Sequence, residues 1–330
     1  MITDDLIERI LHVAPTVRIA VVGDLFLDRY LDIDAALTEP SLETGLDAYQ
    51  VVQVRSQPGA GGTIINNLAA LGVGHVAPVA IIGDDGEGYE LRQALKRLPA
   101  VNPTHILSRQ DRRTPTYTKP MLKTSGQPAR ELNRLDIKNR APTPEEARHD
   151  MRTALDQVWP NVNALIVLDQ VSEADCGVVT ADLRSHLQKL ADADPAKFVL
   201  ADSRERIREF HSVCVKPNAR EGGDIAAIRQ SCGRTVFLTQ GENGIQVFRP
   251  ETTNPTNIPG YPATGPIDPV GAGDSVSAGI ALAVAAGANF EQAAAFGNLV
   301  ASITIQQIGT TGTASPSQVR QRWREVARQS

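Results

Sequence analysis

Cysteine is scarce in this sequence, long apolar runs are missing, and there is no excess of positive charge. Its 330 residues include 3 cysteines, Cys176, Cys214 and Cys232, an odd number without the spacing of a metal site or a disulfide framework. A reducing cytoplasm is therefore the expected compartment. No apolar run approaches the roughly 18 residues that a membrane span requires. Met1 to Val13 carries acids where a secretory leader would carry bases, and its apolar residues fall at helical spacing. A net charge of −5 argues against nucleic acid or an anionic membrane as a partner, so an anionic substrate would need a local basic pocket. Internal repeats, low-complexity tracts and linkers are also missing. With 42% apolar and 22% charged residues, the composition is that of an ordinary globular chain. Residues 1–330 are expected to form one domain around one large core or two modest ones.

The most informative stretch is Pro266 to Ala283, PIDPVGAGDSVSAGIALA. Gly271, Ala272 and Gly273 let backbone N–H groups converge, and the small apolar residues beyond them read as a helix whose N-terminus adds partial positive charge. That combination is an anion site, with Asp274 at its lip. Asp274 has two readings: a helix N-cap after a tight turn, or a base that takes the proton of an alcohol attacking a phosphoryl group held by those amides.

Earlier in the chain, Arg18 to Val22 reads as a buried strand ending in Gly23-Asp24-Leu25-Phe26-Leu27-Asp28. Polar residues just beyond a parallel strand sit where open α/β sheets bind ligands. Asp28 is either a grip for sugar hydroxyls or a solvated loop acid. Pro58 to Gly72 is a glycine-rich turn running into a helix, and Val76 to Ile82 is a second strand, with a helix from Tyr89 to Leu98. Leu31 to Gln57 and Arg113 to Asp136 lean toward β structure, the second around a Ser125-Gly126 hairpin. Together they form an expected small lid that would exclude water. Lys119, Lys123, Arg130 and Arg134 on it either serve a substrate phosphate or are ordinary solvated charges. Thr143-Pro144-Glu145-Glu146 is expected to cap a helix running to about Val158. Strands at Ala164–Leu168 and Phe198–Ala201 flank a helix over Asp175–Ala191, a spacing that implies a parallel sheet. Asp169 and Asp202 each follow a strand and show no partner in the sequence. Asn218 and Glu221, three apart where a helix is expected to begin, share a face or form a plain cap. Thr235 to Phe248 is a hairpin around Gln240-Gly-Glu-Asn-Gly244. Asn289 to Gln292 and Ser315 to Gln318 are capping boxes, the first opening a helix that carries Asn298. The expected fold is α/β: a doubly wound, mostly parallel sheet flanked by helices, with a small β lid.

Asp268-Pro-Val-Gly-Ala-Gly-Asp274 resembles the D-T-x-G-A-G-D signature of the PfkB, ribokinase-like, carbohydrate kinases, with Pro269 in place of the usual threonine. The resemblance implies that Asp274 is the catalytic base, that Gly271, Ala272 and Gly273 form the anion hole, and that Asp268 supports the nucleotide side. Asp28, five residues after Gly23, falls at that family's substrate-binding aspartate. Counting back from Leu71-Gly72, its glycine-rich motif places Gly59 and Thr63 at the substrate, with Ala60 and Thr63 departing from the family's glycine and asparagine. Asn218 and Glu221 match N-x-x-E, whose glutamate acts through water on Mg²⁺. Thr239, Gly241 and Gly244 match the nucleotide loop, and Asn298 falls in the adenine-side region. Thr116-Tyr-Thr-Lys119 with Arg134-Leu-Asp136 is similar to the bacterial heptose-7-phosphate 1-kinase branch and implicates Lys119, although Met121 stands where an arginine is expected. The resemblance thus implies ATP and Mg²⁺, leaves a monovalent cation such as K⁺ open, and suggests a homodimer through the lid. It implies a kinase for a sugar or sugar phosphate. The alternatives are a kinase for an unphosphorylated sugar or nucleoside, and a sugar-binding relative without catalysis.

Overall fold

The computed structural model describes residues 2–328. In chain order the elements are α1 (Asp4–Val13), β1 (Arg18–Gly23), β2 (Leu25–Asp34), β3 (Glu39–Pro40), β4 (Asp47–Ala48), β5 (Val51–Ala60), α2 (Gly61–Ala70), β6 (His75–Gly83), α3 (Gly86–Lys96), β7 (His105–Arg109), β8 (Thr116–Lys123), β9 (Arg130–Glu131) and β10 (Leu135–Ile137). The second half contains α4 (Glu145–Val158), β11 (Ala164–Asp169), α5 (Ala181–Ala193), β12 (Phe198–Ser203), β13 (Cys214–Val215), α6 (Ile225–Cys232), β14 (Val236–Thr239), β15 (Ile245–Phe248), β16 (Thr256–Ile258), α7 (Ala272–Ala285), α8 (Phe290–Thr304) and α9 (Pro316–Ala327).

β1 and β11 are apolar without alternation, as strands covered on both faces must be. In β1 all but Arg18 is buried, and in β11 every residue is. They lie in the middle of a nine-stranded sheet of order β16-β15-β14-β13-β12-β11-β1-β6-β7. Pairing is parallel from β14 to β7, and β15 and β16 add an antiparallel margin. Ile19 and Val21 pack into the cluster formed with α1, α2, α7 and α8, whereas Ala20 and Val22 pack into the one formed with α4 and α5. The chain runs outward from β1 through β6 and β7, then returns to β11 on the other side and runs outward again. This reversal opens a crevice beyond the C-terminal ends of β1 and β11, where a doubly wound sheet takes its ligand. No helix among the described residues is long and apolar enough to cross a membrane.

A second sheet, of order β10-β8-β2-β5 with β9 on β8, stands over that crevice. It begins at Leu25 rather than near Leu31, because Leu25 and Leu27 are buried in the main core while the same strand pairs with β5 and β8. It also extends beyond Gln57 to Ala60 and beyond Asp136 to Ile137. On β2 the side chains of Asp28, Tyr30 and Asp32 share a face with Tyr117 and Lys119 of β8 and with Gln57 and Arg55 of β5.

Several expected helix starts move for identifiable reasons. Thr143 forms no capping box; its hydroxyl donates to Gly177 O at 2.6 Å, so α4 starts at Glu145 behind Pro144. α5 starts at Ala181, where Thr180 caps it, because Asp175 holds a left-handed φ of 56°. α3 starts at Gly86 rather than Tyr89, since the Asp85 side chain accepts from Gly88 N. The boxes at Asn289–Gln292 and Ser315–Gln318 both form.

Candidate active site

The N-terminus of α7 forms one wall of the crevice. Gly271 caps it with φ 79°, and a Cβ there would lie 2.6 Å from Thr311 Cγ2 and 3.2 Å from Thr63 Cγ2. Both the handedness and the space require glycine. Thr63, buried in the first turn of α2, therefore braces the turn from behind. The Ala272 N–H is engaged with Pro269 O at 3.1 Å, whereas among the described residues the N–H groups of Gly271, Gly273 and Asp274 have no acceptor. These are first-turn donors left open to the crevice. Of the three expected amides, Ala272's closes the turn, those of Gly271 and Gly273 stay unengaged, and the Asp274 N–H joins them.

Asp274 lies in that first turn, half-buried. Burial, then the nearby charge of Asp202, pushes its carboxyl up to about 7; Lys216 and Arg204 pull the other way, and Asp28 adds to the rise. A carboxyl near neutrality beside open amides can accept a proton at physiological pH.

Opposite stands a buried ion pair. Lys216, just past β13, places Nζ 2.7 Å from Asp202 Oδ2 on β12, and the same Nζ lies 3.6 Å from where a Cβ on Gly273 would be. Burial works against the lysine's charge, but Asp202 outweighs it and holds the pKa above the ordinary value. Asn218 and Glu221 follow. Asn218 N–H donates to Glu221 Oε2 at 2.9 Å, and Asn218 Oδ1 accepts from the N–H groups of Arg220 and Glu221 at 2.9 and 3.0 Å. This is a reciprocal cap, but on a turn: α6 starts only at Ile225. Burial, the largest influence, raises the Glu221 carboxyl.

Asn218 pairs with Thr239 as a parallel bridge, which sets the 218–221 turn beside the 239–244 loop. Gly241 and Gly244 of that loop both have positive φ. Asn298 is buried, with its amide donated to Ile258 O and Pro259 O at 3.3 and 3.0 Å. Asp268 is held by Val270 N and Gly309 N at 3.1 and 3.2 Å, so it fastens the loop ahead of Gly271 rather than facing the crevice. Asn218, Glu221, Thr239, Gly241, Gly244, Asn298 and the 271–274 turn all line one cleft of about 1020 Å³. No group of three or more His, Cys, Asp or Glu side chains among the described residues is placed to cage a metal.

The small sheet contributes the other half. Asp28 on β2 is nearly enclosed, with Lys119 Nζ 3.7 Å from its Oδ2, and Lys119 also donates to Tyr30 OH at 3.1 Å. The Tyr30 ring lies between two cations, Lys119 Nζ at 4.7 Å and the Arg55 guanidinium at 4.8 Å. A Cβ on Gly59 would sit 2.8 Å from Asp28 Oδ2, so glycine leaves room for that carboxylate. Burial raises the Asp28 carboxyl and Lys119 opposes it. Gln57 ties this sheet to the core, its amide donating to Thr311 Oγ1 at 2.9 Å.

Residues 18–318 match the family model described as pfkB family carbohydrate kinase. The chain belongs to that family. It is a phosphotransferase acting on a sugar hydroxyl, with ATP use implied by the family. Among curated relatives, this kinase is 28% identical over 332 residues to the Bifunctional protein HldE of Pelobacter propionicus, covering 95% of this chain and 64% of that protein. It is also 28% identical over 308 residues to the protein of the same name from Stutzerimonas stutzeri, covering 90% and 62%. The kinase thus spans somewhat under two thirds of the length of these relatives. Its fold is similar to Arabidopsis thaliana ribokinase complexed with ribose and ATP (TM-score 0.65, 17% identity, 93% of this chain and 98% of that one). It is similar also to Escherichia coli phosphofructokinase-2 in complex with potassium (TM-score 0.67, 18% identity, 94% and 99%). The fold is ribokinase-like.

Three cleft residues of the kinase escape a reading of the sequence: Lys216, Arg204 and Gln170. Asp202 is noticed there without a partner, since its lysine lies on the next strand. The usable signal is position, because each of the four lies at or just past the C-terminal end of a central parallel strand.

Proposed function

We propose that this kinase transfers the γ-phosphoryl group of ATP to a hydroxyl of a sugar or sugar phosphate of heptose size, with Asp274 as general base. The nucleotide lies along the cleft from the 239–244 loop and the Asn218–Glu221 turn to the open amides of the 271–274 turn, while the acceptor sits between Asp274 and the small sheet, against Asp28, Gly59 and Lys119, with Thr63 bracing the Gly271 turn behind them. The observation that carries this reading is the Asp274 carboxyl, raised to about 7 beside unused N–H donors.

In the reaction, a carboxylate oxygen of Asp274 takes the hydroxyl proton as the sugar oxygen bonds to the γ-phosphorus. The bond from that phosphorus to the β–γ bridging oxygen breaks, and its electron pair leaves with ADP. Charge on the equatorial oxygens is met by the Gly273 and Asp274 N–H groups and by Lys216. A bound Mg²⁺ would supply charge neutralisation on the phosphates. Glu221, in the cleft beside Asn218, is the residue that would hold the ion on the protein side. Asp28 accepts hydrogen bonds from the acceptor's hydroxyls and fixes which of them reaches Asp274. The small sheet acts as the lid, and its edge strand β5, where Val51, Val52 and Val54 are exposed, is the surface on which two copies would pair. Potassium dependence is to be read from rates with K⁺ exchanged for a large organic cation.

The test is acceptor-dependent ADP release over a panel of heptose 7-phosphate, fructose phosphates, ribose and nucleosides. Turnover of a sugar or sugar phosphate is expected. Calorimetric sugar binding without turnover for any acceptor would instead identify a binding relative.

A further inference from the structure

Resting on the kinase reading above, we propose that Arg204 and Lys138, set beside Tyr117, form a subsite for a phosphate group carried by the acceptor at the end away from its reacting hydroxyl. Arg204 follows β12 and lines the cleft together with Asp274, Asp202 and Lys216. Its side chain is exposed and, among the described residues, has no hydrogen-bond or ion-pair partner. Its charge acts on both the Asp274 carboxyl on the core and the Tyr117 hydroxyl on the small sheet.

Tyr117 stands directly across from Asp28 in the β2–β8 register, so the two side chains share the face that covers the crevice. Two further cations surround its ring. The Arg134 guanidinium lies 4.3 Å above it and Lys138 Nζ lies 5.9 Å away. Arg134 is compensated by Asp136 at 2.7 Å, and Lys119 by Asp28 at 3.7 Å. Lys138, like Arg204, has no carboxylate partner among the described residues. Gln170 lines both the large cleft and a small hollow of about 30 Å³ that holds Tyr117 and Lys138, and its side-chain amide has no partner among the described residues. Arg204 in the large cleft and Lys138 in the hollow beside it are thus two uncompensated cations joined through the free amide of Gln170, in a chain whose net charge is −5. A bare cation in the reaction cleft and a second in the adjoining hollow call for an anion, and a phosphate monoester offers three acceptor oxygens at nearly two charges. ATP has its own donors in the open amides and Lys216, so the anion served here belongs to the acceptor.

The experiment is steady-state kinetics on the full chain with heptose 7-phosphate and fructose 6-phosphate against the same sugars lacking phosphate, for wild type, Arg204→Met, Lys138→Met and the double variant. Both side chains are exposed, and melting curves check that the variants fold. Wild type is expected to favour a phosphorylated acceptor by more than about 100-fold in kcat/KM, and each variant to raise KM for that acceptor by about 10-fold or more, the range of a charge-assisted hydrogen bond. KM for ATP should stay within about twofold, against a tenfold rise for a lost charged contact. Equal use of phosphorylated and plain sugars overturns the subsite and leaves the kinase reading standing, and so does an Arg204→Met effect confined to KM for ATP. If no acceptor is turned over, the kinase reading fails. Calorimetric titration with the sugar phosphate then decides the subsite separately: tight binding to wild type that weakens tenfold in Arg204→Met supports it, and binding that is absent or indifferent to the substitution overturns it.

Discussion

Replacing Asp274 by asparagine should make the protein more stable while disabling it. The wild-type carboxyl is raised from an ordinary 3.8 to about 7. A folded-state pKa above the unfolded one means that the folded chain holds its proton more tightly, so stability is greatest below the unfolded pKa and falls as pH rises through the folded pKa. A rise of about three units corresponds to an upper bound of about 4 kcal/mol above pH 7. Asp274 keeps contact with solvent, and screening reduces this to about 2 kcal/mol. With an unfolding entropy of about 2.1 cal/mol/K per residue, roughly 0.7 kcal/mol/K for this chain, that is a gain of about 3 °C. The assay is thermal denaturation of wild type and Asp274→Asn at pH 5 and pH 8, without nucleotide. The variant should melt higher, with the larger gap at pH 8. A gap independent of pH, or a variant that melts lower at pH 8, would refute the claim that this carboxylate is held against its preference for water.

Further outcomes follow from the same geometry. Lys216→Met leaves Asp202 buried without its partner, which should cost on the order of 3–5 kcal/mol in the melt. It also removes a charge that lowers the Asp274 pKa, so the acid limb of kcat/KM, expected near pH 7, should move to higher pH; a limb that stays put separates Lys216 from the base. Gly271→Ala meets both the positive φ and Thr311, and should cost about 1–3 kcal/mol of strain together with more than tenfold of kcat. Asp28→Asn should raise KM for the sugar about tenfold or more with KM for ATP unchanged, as product-release assays at varied acceptor would show.

How much of this was legible in the sequence depends on the range of the interactions involved. The boxes at Asn289 and Ser315 close over three residues and form as read. Thr143 has the same local pattern, but its hydroxyl finds Gly177 O across the fold, and the tertiary acceptor wins. Asn218 and Glu221 make their reciprocal bonds, yet Gly222 and Gly223 follow, and the chain turns rather than coils. The buried strands β1 and β11 are visible because a sheet covered on both faces needs unbroken apolar runs. β2 is harder, since its first residues belong to one core and its later ones to another sheet, so no single periodicity marks where it starts. The G-A-G-D turn is local and was readable; the engagement of the Ala272 N–H with Pro269 O was not. Lys216 and Asp202 are brought together only by the pairing of β12 with β13, and a one-dimensional reading sees two unrelated charges.

The most direct measurement is the turnover of Asp274→Asn with a productive acceptor, alongside its ATP affinity by calorimetry. A general base at this position predicts that kcat falls by about 100-fold or more while the Kd for ATP changes by less than about twofold. An asparagine variant that turns over at the wild-type rate would contradict the account at its centre.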